Sequence, residues 1–215
     1  MKKDSQKYFL IAACALTVFI LWTLLIRFVD VGNIGPENTS VGFSTINKFV
    51  HDLTGIHMSL YHITDWLGLV PLFFVLGFAL LGLTQWIRRK RLSRVDCNIL
   101  ALGGFYIVMM AVYIFFEIVI VNYRPVLIYG VLEPSYPSST TMLVMCVMPT
   151  AMMQLNSRIK HNTLRWFVMC TIAAFTIFMV IGRLISGVHW CTDIIGGSIL
   201  STGLVFIYRA VIGLN

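Results

Sequence analysis

Six times along this chain about twenty residues pass with almost no charge, over roughly 8–29, 66–87, 99–121, 138–155, 166–185 and 192–210. That recurrence constrains the fold more than any other feature, because roughly 20 apolar residues of helix cross the hydrocarbon of a bilayer. In lipid the backbone must satisfy its own hydrogen bonds, and runs of this length do so as α-helices. With 58% hydrophobic and 12% charged residues and a mean hydropathy of +0.85, the composition excludes a soluble domain. The expectation is a single all-α domain over residues 1–215, a six-transmembrane-helix bundle. Val41 to Leu53 mixes apolar and polar residues and suits a short interfacial helix after the first span.

The net charge of +7 does not point to nucleic acid, since the basic residues sit in short clusters between apolar runs. Six crossings put both termini on one side. That side then holds Lys2, Lys3, Lys7, Arg88, Arg89, Lys90, Arg91, Arg94, Arg158, Lys160, Arg165 and Arg209, twelve in all. The other holds Arg27, Lys48, Arg124 and Arg183, which is four. The positive-inside rule therefore predicts cytoplasmic termini in a multi-pass protein of the cell membrane. His51, Asp52, His57, His62 and Asp65 gather at the outer face, but their spacing fits no firm ligand pattern, and no metal is expected. The five cysteines suggest no disulfide framework, and Gly196, Gly197, Ser198, Ser201 and Gly203 form a small-residue stripe suited to close helix packing.

Against this hydrocarbon background, ionisable residues near membrane depth need a reason. Gly182 to Asp193 (GRLISGVHWCTD) places Arg183, His189 and Asp193 within eleven residues. If the segment from His189 is helical, His189 and Asp193 share one face as i and i+4. Two further stretches fall on the same predicted outer rim: Glu117-x6-Arg124-Pro125, and Tyr136-Pro137-Ser138-Ser139-Thr140. Arginine is suited to clamp an anion with its planar fork of donors, and a helix N-terminus after Pro137 adds backbone N–H groups.

Together these stretches resemble the three-part signature of the type 2 phosphatidic acid phosphatase superfamily, the membrane lipid phosphate phosphatases. That signature reads K-x6-R-P, P-S-G-H and S-R-x5-H-x3-D in this order. The resemblance covers about residues 66 to 205, with the core motifs at 117–193. It implies that His189 is the nucleophile forming a phosphohistidine and that Asp193 orients it. It also implies that Arg124, Arg183, Ser138 and Ser139 bind the phosphate, and that no cofactor is required. The partners so implied are a phosphorylated lipid and the bilayer, with the site facing the extracytoplasmic side.

The departures from the signature are specific. Its first lysine is Glu117, its glycine is Ser139, the histidine that protonates the leaving group is Thr140, and the serine before Arg183 is Gly182. Loss of a general acid costs about 10² to 10⁴ in rate. A carboxylate about 4 Å from a phosphate charge repels it by roughly 4 kcal/mol at an effective dielectric of 20. A lipid diphosphate, whose leaving group is itself a phosphate, suits such a site better than a monophosphate. Glu117 lies about two helical turns before Arg124, which leaves two expectations open, an ion pair with Arg124 or Arg183 or a carboxyl kept protonated by burial. Tyr123, Glu133 and Tyr136 are polar candidates for a substitute donor. The expected activity is hydrolysis of a lipid phosphate, preferentially a diphosphate. The alternative is a catalytically impaired relative that binds or transports a phosphorylated lipid.

Overall fold

The structure, a computed structural model, describes residues 2–214 and is helical throughout, with isolated β-bridges and no strands among those residues. Its α-helices are α1 (Lys2–Phe28), α2 (Ser44–Thr54), α3 (Met58–Leu67), α4 (Leu69–Arg89), α5 (Cys97–Ile118), α6 (Ser139–Arg158), α7 (Asn162–Ile185) and α8 (Cys191–Ile212). Five segments are long and apolar enough to cross a membrane: Asp4–Phe28, Met58–Arg89, Cys97–Ile118, Asn162–Ile185 and Cys191–Ile212. The chain is thus a multi-pass membrane protein. The predicted fourth run, α6, is not among the five. It carries Thr140, Thr141, Thr150, Gln154, Asn156 and Ser157, buries Thr141, Thr150 and Gln154, and packs against α4, α5, α7 and α8.

The second span begins earlier than its hydropathy suggests. Only Gly68 separates α3 from α4, and both fall within one 32-residue stretch, Met58–Arg89. The predicted interfacial helix is α2, whose exposed Ile46, Phe49 and Leu53 recur at helical spacing on one face. Its opposite face turns Asn47 into the core.

Helix α8 is the centre of the bundle. It packs along α1 over the most extensive helix pair and also touches α2, α5, α6 and α7. The small-residue stripe makes this possible. A Cβ at Gly203 would stand 2.8 Å from Leu16 Cδ2, and one at Gly196 would stand 2.4 Å from the Tyr136 ring. Packing of this kind, with small residues admitting neighbouring backbones, is the usual source of helix association in lipid.

Helix α5 stops at Ile118, three residues short of the expected end. Residues 119–138 then form an irregular hairpin with antiparallel bridges Tyr123 to Pro134 and Ile128 to Val131. Tyr129 and Gly130 at its tip both have positive φ, as a type I′ turn requires. The hairpin returns the chain toward its start, so that Arg124 N–H donates to the Glu133 carbonyl and Ser135 N–H to that of Asn122.

Candidate active site

His189 sits in the short turn between α7 and α8, one residue before the Trp190 cap of α8. It is therefore not on the helix that the i, i+4 spacing suggested. The turn is shaped by Gly187 at φ +69°, where a Cβ would collide with the Gly55 carbonyl oxygen at 2.0 Å. The Ser186 carbonyl accepts from His57 N–H at 3.0 Å, and these contacts pin the turn to the α2–α3 junction.

The hydrogen bonds of His189 fix its tautomer. Arg124 Nη1 lies 3.0 Å from Nε2, and an arginine only donates, so Nε2 presents its lone pair. Nδ1 then carries the proton and donates to the Ser135 carbonyl at 3.2 Å. Burial, together with the charges of Arg124 and Arg183, holds the imidazole pKa well below its ordinary value, opposed by the Ser135 hydrogen bond. A neutral ring with Nε2 unprotonated is the nucleophilic form.

The two arginines are buried as deeply as the histidine, at 8% exposed for Arg124 and 1% for Arg183. Arg124 Nε stands 3.0 Å from Glu133 Oε2, but off the line of the N–H, so the pair is ionic and leaves that donor without a hydrogen bond. Arg183, in the last turn of α7, donates from Nη1 to Thr64 Oγ1 at 3.4 Å and lies 3.8 Å from Asp65 Oδ1. Its guanidinium stacks over the Tyr61 ring at 4.9 Å from the centroid. Arg183 Nε has no hydrogen-bond partner in the protein. Two buried guanidinium groups with unused donors beside one imidazole make a preformed anion cradle.

Asp193, fully buried in the first turn of α8, accepts three hydrogen bonds: from Ser135 Oγ, from Asn122 Nδ2 at 3.1 Å, and from Trp190 N at 3.0 Å. Its Oδ2 is 3.9 Å from His189 Nδ1, farther than the Ser135 carbonyl. Ser135 therefore links the two, its carbonyl on the imidazole and its hydroxyl on the carboxylate. Ser138 N–H donates to the Asp193 carbonyl at 3.1 Å, and Ser138 Oγ accepts from Thr141 at 3.1 Å, which leaves the Ser138 hydroxyl proton free to donate.

The divergent positions lie on the facing wall. A cleft of about 10 Å³ is lined by Glu117 and Tyr113 of α5, by Ser139 of α6 and by His189. It opens beside a groove of about 210 Å³ that shares Tyr113, Ser139 and Met142 and adds Thr140, Met109 and Leu72. Thr140 lines only the groove, whereas Glu117 lines only the cleft. The expected ion pair of Glu117 does not form: Arg124 takes Glu133, Arg183 takes Asp65, and among the described residues no cation lies within 4.0 Å of Glu117. The two-turn spacing fails because α5 ends at Ile118, so Arg124 is not on its helix.

Of the candidate substitute donors, Tyr136 lines the cleft with His189, and its hydroxyl is paired with Thr23 Oγ1 at 2.7 Å. Glu133 is engaged by Arg124, and the carbonyl of Tyr123 accepts from Trp190 Nε1 at 2.8 Å. The histidines expected to gather at the outer face disperse. His51 packs on Trp190 with ring centroids 5.6 Å apart, and His57 Nε2 contacts the Thr54 carbonyl at 2.8 Å.

Asn47, Thr64, Asn122 and Ser135 are site residues that sequence reasoning missed. Asn47 Oδ1 accepts from Thr192 N at 3.2 Å and from Cys191 Sγ at 3.1 Å, and its Nδ2 donates to Thr192 Oγ1 at 3.0 Å. It thereby caps the start of α8 from the interfacial helix.

The sequence matches the model of the PAP2 superfamily over residues 72–215. Among solved structures it is similar to the first transmembrane PAP2-type phosphatidylglycerolphosphate phosphatase from Bacillus subtilis, with a TM-score of 0.62 and 16% identity. That similarity covers 92% of this chain and 94% of the other, and at this identity it speaks for the fold. No curated protein matches the sequence.

Proposed function

The chain belongs to the PAP2 superfamily, and from that premise we propose that it is a membrane lipid phosphatase whose nucleophile is His189. The observation that carries this reading is the neutral imidazole held by Arg124, with the charge of Arg183 also acting on the ring, both arginines buried and both with a donor unspent. A phosphate entering the cradle takes over the Arg124 Nη1 hydrogen bond from Nε2 and frees that lone pair. Nε2 attacks phosphorus, the bond to the leaving oxygen breaks, and a phosphohistidine forms. The proton stays on Nδ1, donated to the Ser135 carbonyl, and Asp193, through Ser135 and its own nearby charge, steadies the cationic ring. Ser138 and Ser139 supply further donors to the phosphate oxygens.

The substrate class follows from the facing wall. With Thr140 outside the cleft and Glu117 within it, proton donation to an alkoxide is poorly provided for, so a lipid diphosphate, which leaves as a lipid monophosphate, is the preferred substrate. The apolar groove beside the cleft suits the start of its hydrocarbon chain. In this reading α6 also crosses and makes six spans, the termini are cytoplasmic, and the cleft faces the outer leaflet of the cell membrane, as twelve cytoplasmic against four outer basic residues favour.

The test is phosphate release by the purified protein from phosphatidic acid, phosphatidylglycerol phosphate and a prenyl diphosphate. Release is expected to be fastest from the diphosphate and abolished in His189→Ala. Equal release by the two proteins overturns the reading. Tight binding of these lipids without release identifies instead a member that binds or carries a phosphorylated lipid, which Glu117, in the cleft with no counter-ion among the described residues, favours as the second reading.

A further inference from the structure

We propose that Glu117 is the base that activates water in the second half of the reaction, hydrolysis of the His189 phosphoenzyme. The inference rests on the phosphohistidine reading above and adds a catalytic residue to it. Three placements carry it. Glu117 and His189 line one cleft, with Tyr113, one turn before Glu117 on α5, completing that wall. The cleft's volume of about 10 Å³ matches the space of a single water. Among the described residues no cation lies within 4.0 Å of Glu117, in contrast with Glu133, Asp65 and Asp96, each of which holds an arginine.

An acidic side chain kept beside an anion site without a counter-ion is not explained by packing, because it opposes phosphate binding. Proton transfer explains it. The water oxygen bonds to phosphorus, the N–P bond breaks and its electron pair returns to Nε2, and the water proton passes to the Glu117 carboxylate. From there the proton reaches bulk water, since Glu117 is exposed at the end of α5. The position that would otherwise handle protons, Thr140, has a side chain of the wrong chemistry and lines the neighbouring groove. The first half-reaction needs no such help when a phosphate is the leaving group.

The experiment is rapid-quench kinetics with farnesyl diphosphate carrying a radiolabelled terminal phosphate, comparing wild type, Glu117→Gln, Glu117→Asp and His189→Ala. Glu117→Gln is expected to label the protein with about one acid-labile phosphate per site in a fast first turnover. Its steady-state rate then falls about 10²- to 10⁴-fold, the range of general-base catalysis. Glu117→Asp is expected to recover part of that rate, and His189→Ala to take up no label. If Glu117→Gln leaves steady-state turnover unchanged, or slows label uptake and turnover together, Glu117 is not the base, while the His189 reading stands. If His189→Ala takes up label and turns over like wild type, or wild type neither takes up label nor turns over, that reading fails and this inference with it.

Discussion

On the wall of the cleft built by the turn before α8, Asp193 accepts three hydrogen bonds, and the imidazole of His189 is held at both nitrogens. On the facing wall, Glu117 has no counter-ion among the described residues, and Thr140 looks into an apolar groove. The first wall is over-determined, with buried polar groups that would be costly to leave unpaired. The second is open and exposed. On the proposed function, such an arrangement separates what must be rigid, the attacking nitrogen and its anion clamps, from what sets the substrate and handles protons. The family signature survives in the wall where geometry is fixed and has changed in the wall where it is not.

The strongest challenge to that contrast is removal of the fixed wall's centre. His189→Ala is expected to lower turnover on the order of 10⁴-fold or more, the scale seen when a covalent nucleophile is lost. Residual turnover above that, with His189→Ala folded, would mean that the rigid wall is structural and the chemistry lies elsewhere.

Next in size are the arginines. Arg183→Lys keeps the charge but loses the planar fork over Tyr61 and the Nε donor, and about a 10²- to 10³-fold drop in kcat is expected, comparable to loss of one preorganised donor to developing charge. Arg124→Gln removes a positive charge beside His189, so the imidazole pKa should rise toward its ordinary value. The sign follows directly. In the folded protein His189 takes its proton only well below pH 6.5, so wild-type kcat/KM holds as pH falls through that value, and its acid limb lies lower. In Arg124→Gln the acid limb should move upward. The same depression means that the unfolded chain binds the proton first, so stability declines as pH drops below about 6.5. An acid limb that stays in place in Arg124→Gln would show that the guanidinium does not act on the ring.

The rigid wall also depends on a residue far from it in sequence. Asn47 joins α2 to the first turn of α8 through Cys191 and Thr192 and is wholly buried. Asn47→Ala leaves those groups unpaired and should cost about 1 to 3 kcal/mol, read as a lower Tm in detergent. Glu117→Ala, on the open wall, should leave Tm unchanged. Equal shifts in both variants would erase the distinction between the walls.

These residues also mark how far the sequence could be read. Arg124, Arg183, His189 and Asp193 stand out because ionisable groups near lipid are conspicuous, and their spacing is informative wherever the chain folds. Asn122 and Ser135 do not stand out, since a neutral polar residue in a loop has no periodicity, and Asn47 is one neutral polar residue among several on α2. Their importance comes from a hairpin and an interfacial helix that bring distant segments onto α8. The reading of Glu117 failed for a definite reason: it assumed that α5 runs on to Arg124, whereas the helix ends at Ile118 and the chain turns into the hairpin. The helix supposed to carry both His189 and Asp193 begins only after His189, since Gly187 sets a turn ahead of it, yet the two side chains still meet, with Nδ1 3.9 Å from Oδ2. Helix α6 was legible as an element from its apolar stretch after Pro137, although its polar residues keep it out of the most apolar set.

The smallest effect is expected where the sequence pattern alone would promise a large one. By its place in the motif, Thr140 is the missing acid, and restoring histidine there should revive monophosphate hydrolysis. The structure places position 140 in the apolar groove with Leu72, Met109 and Leu143, one residue beyond Ser139, which does reach the cleft. A histidine at 140 would start from that groove, which His189 does not line, and a proton donor out of hydrogen-bond reach of the leaving oxygen contributes nothing. Thr140→His should therefore change phosphatidic acid hydrolysis by less than about tenfold, well short of the full range for a working general acid. A rise of about 10²-fold or more would show that the first turn of α6 rotates when phosphate binds. The open wall would then be open only in the empty protein, and the contrast between the two walls would belong to that state and not to catalysis.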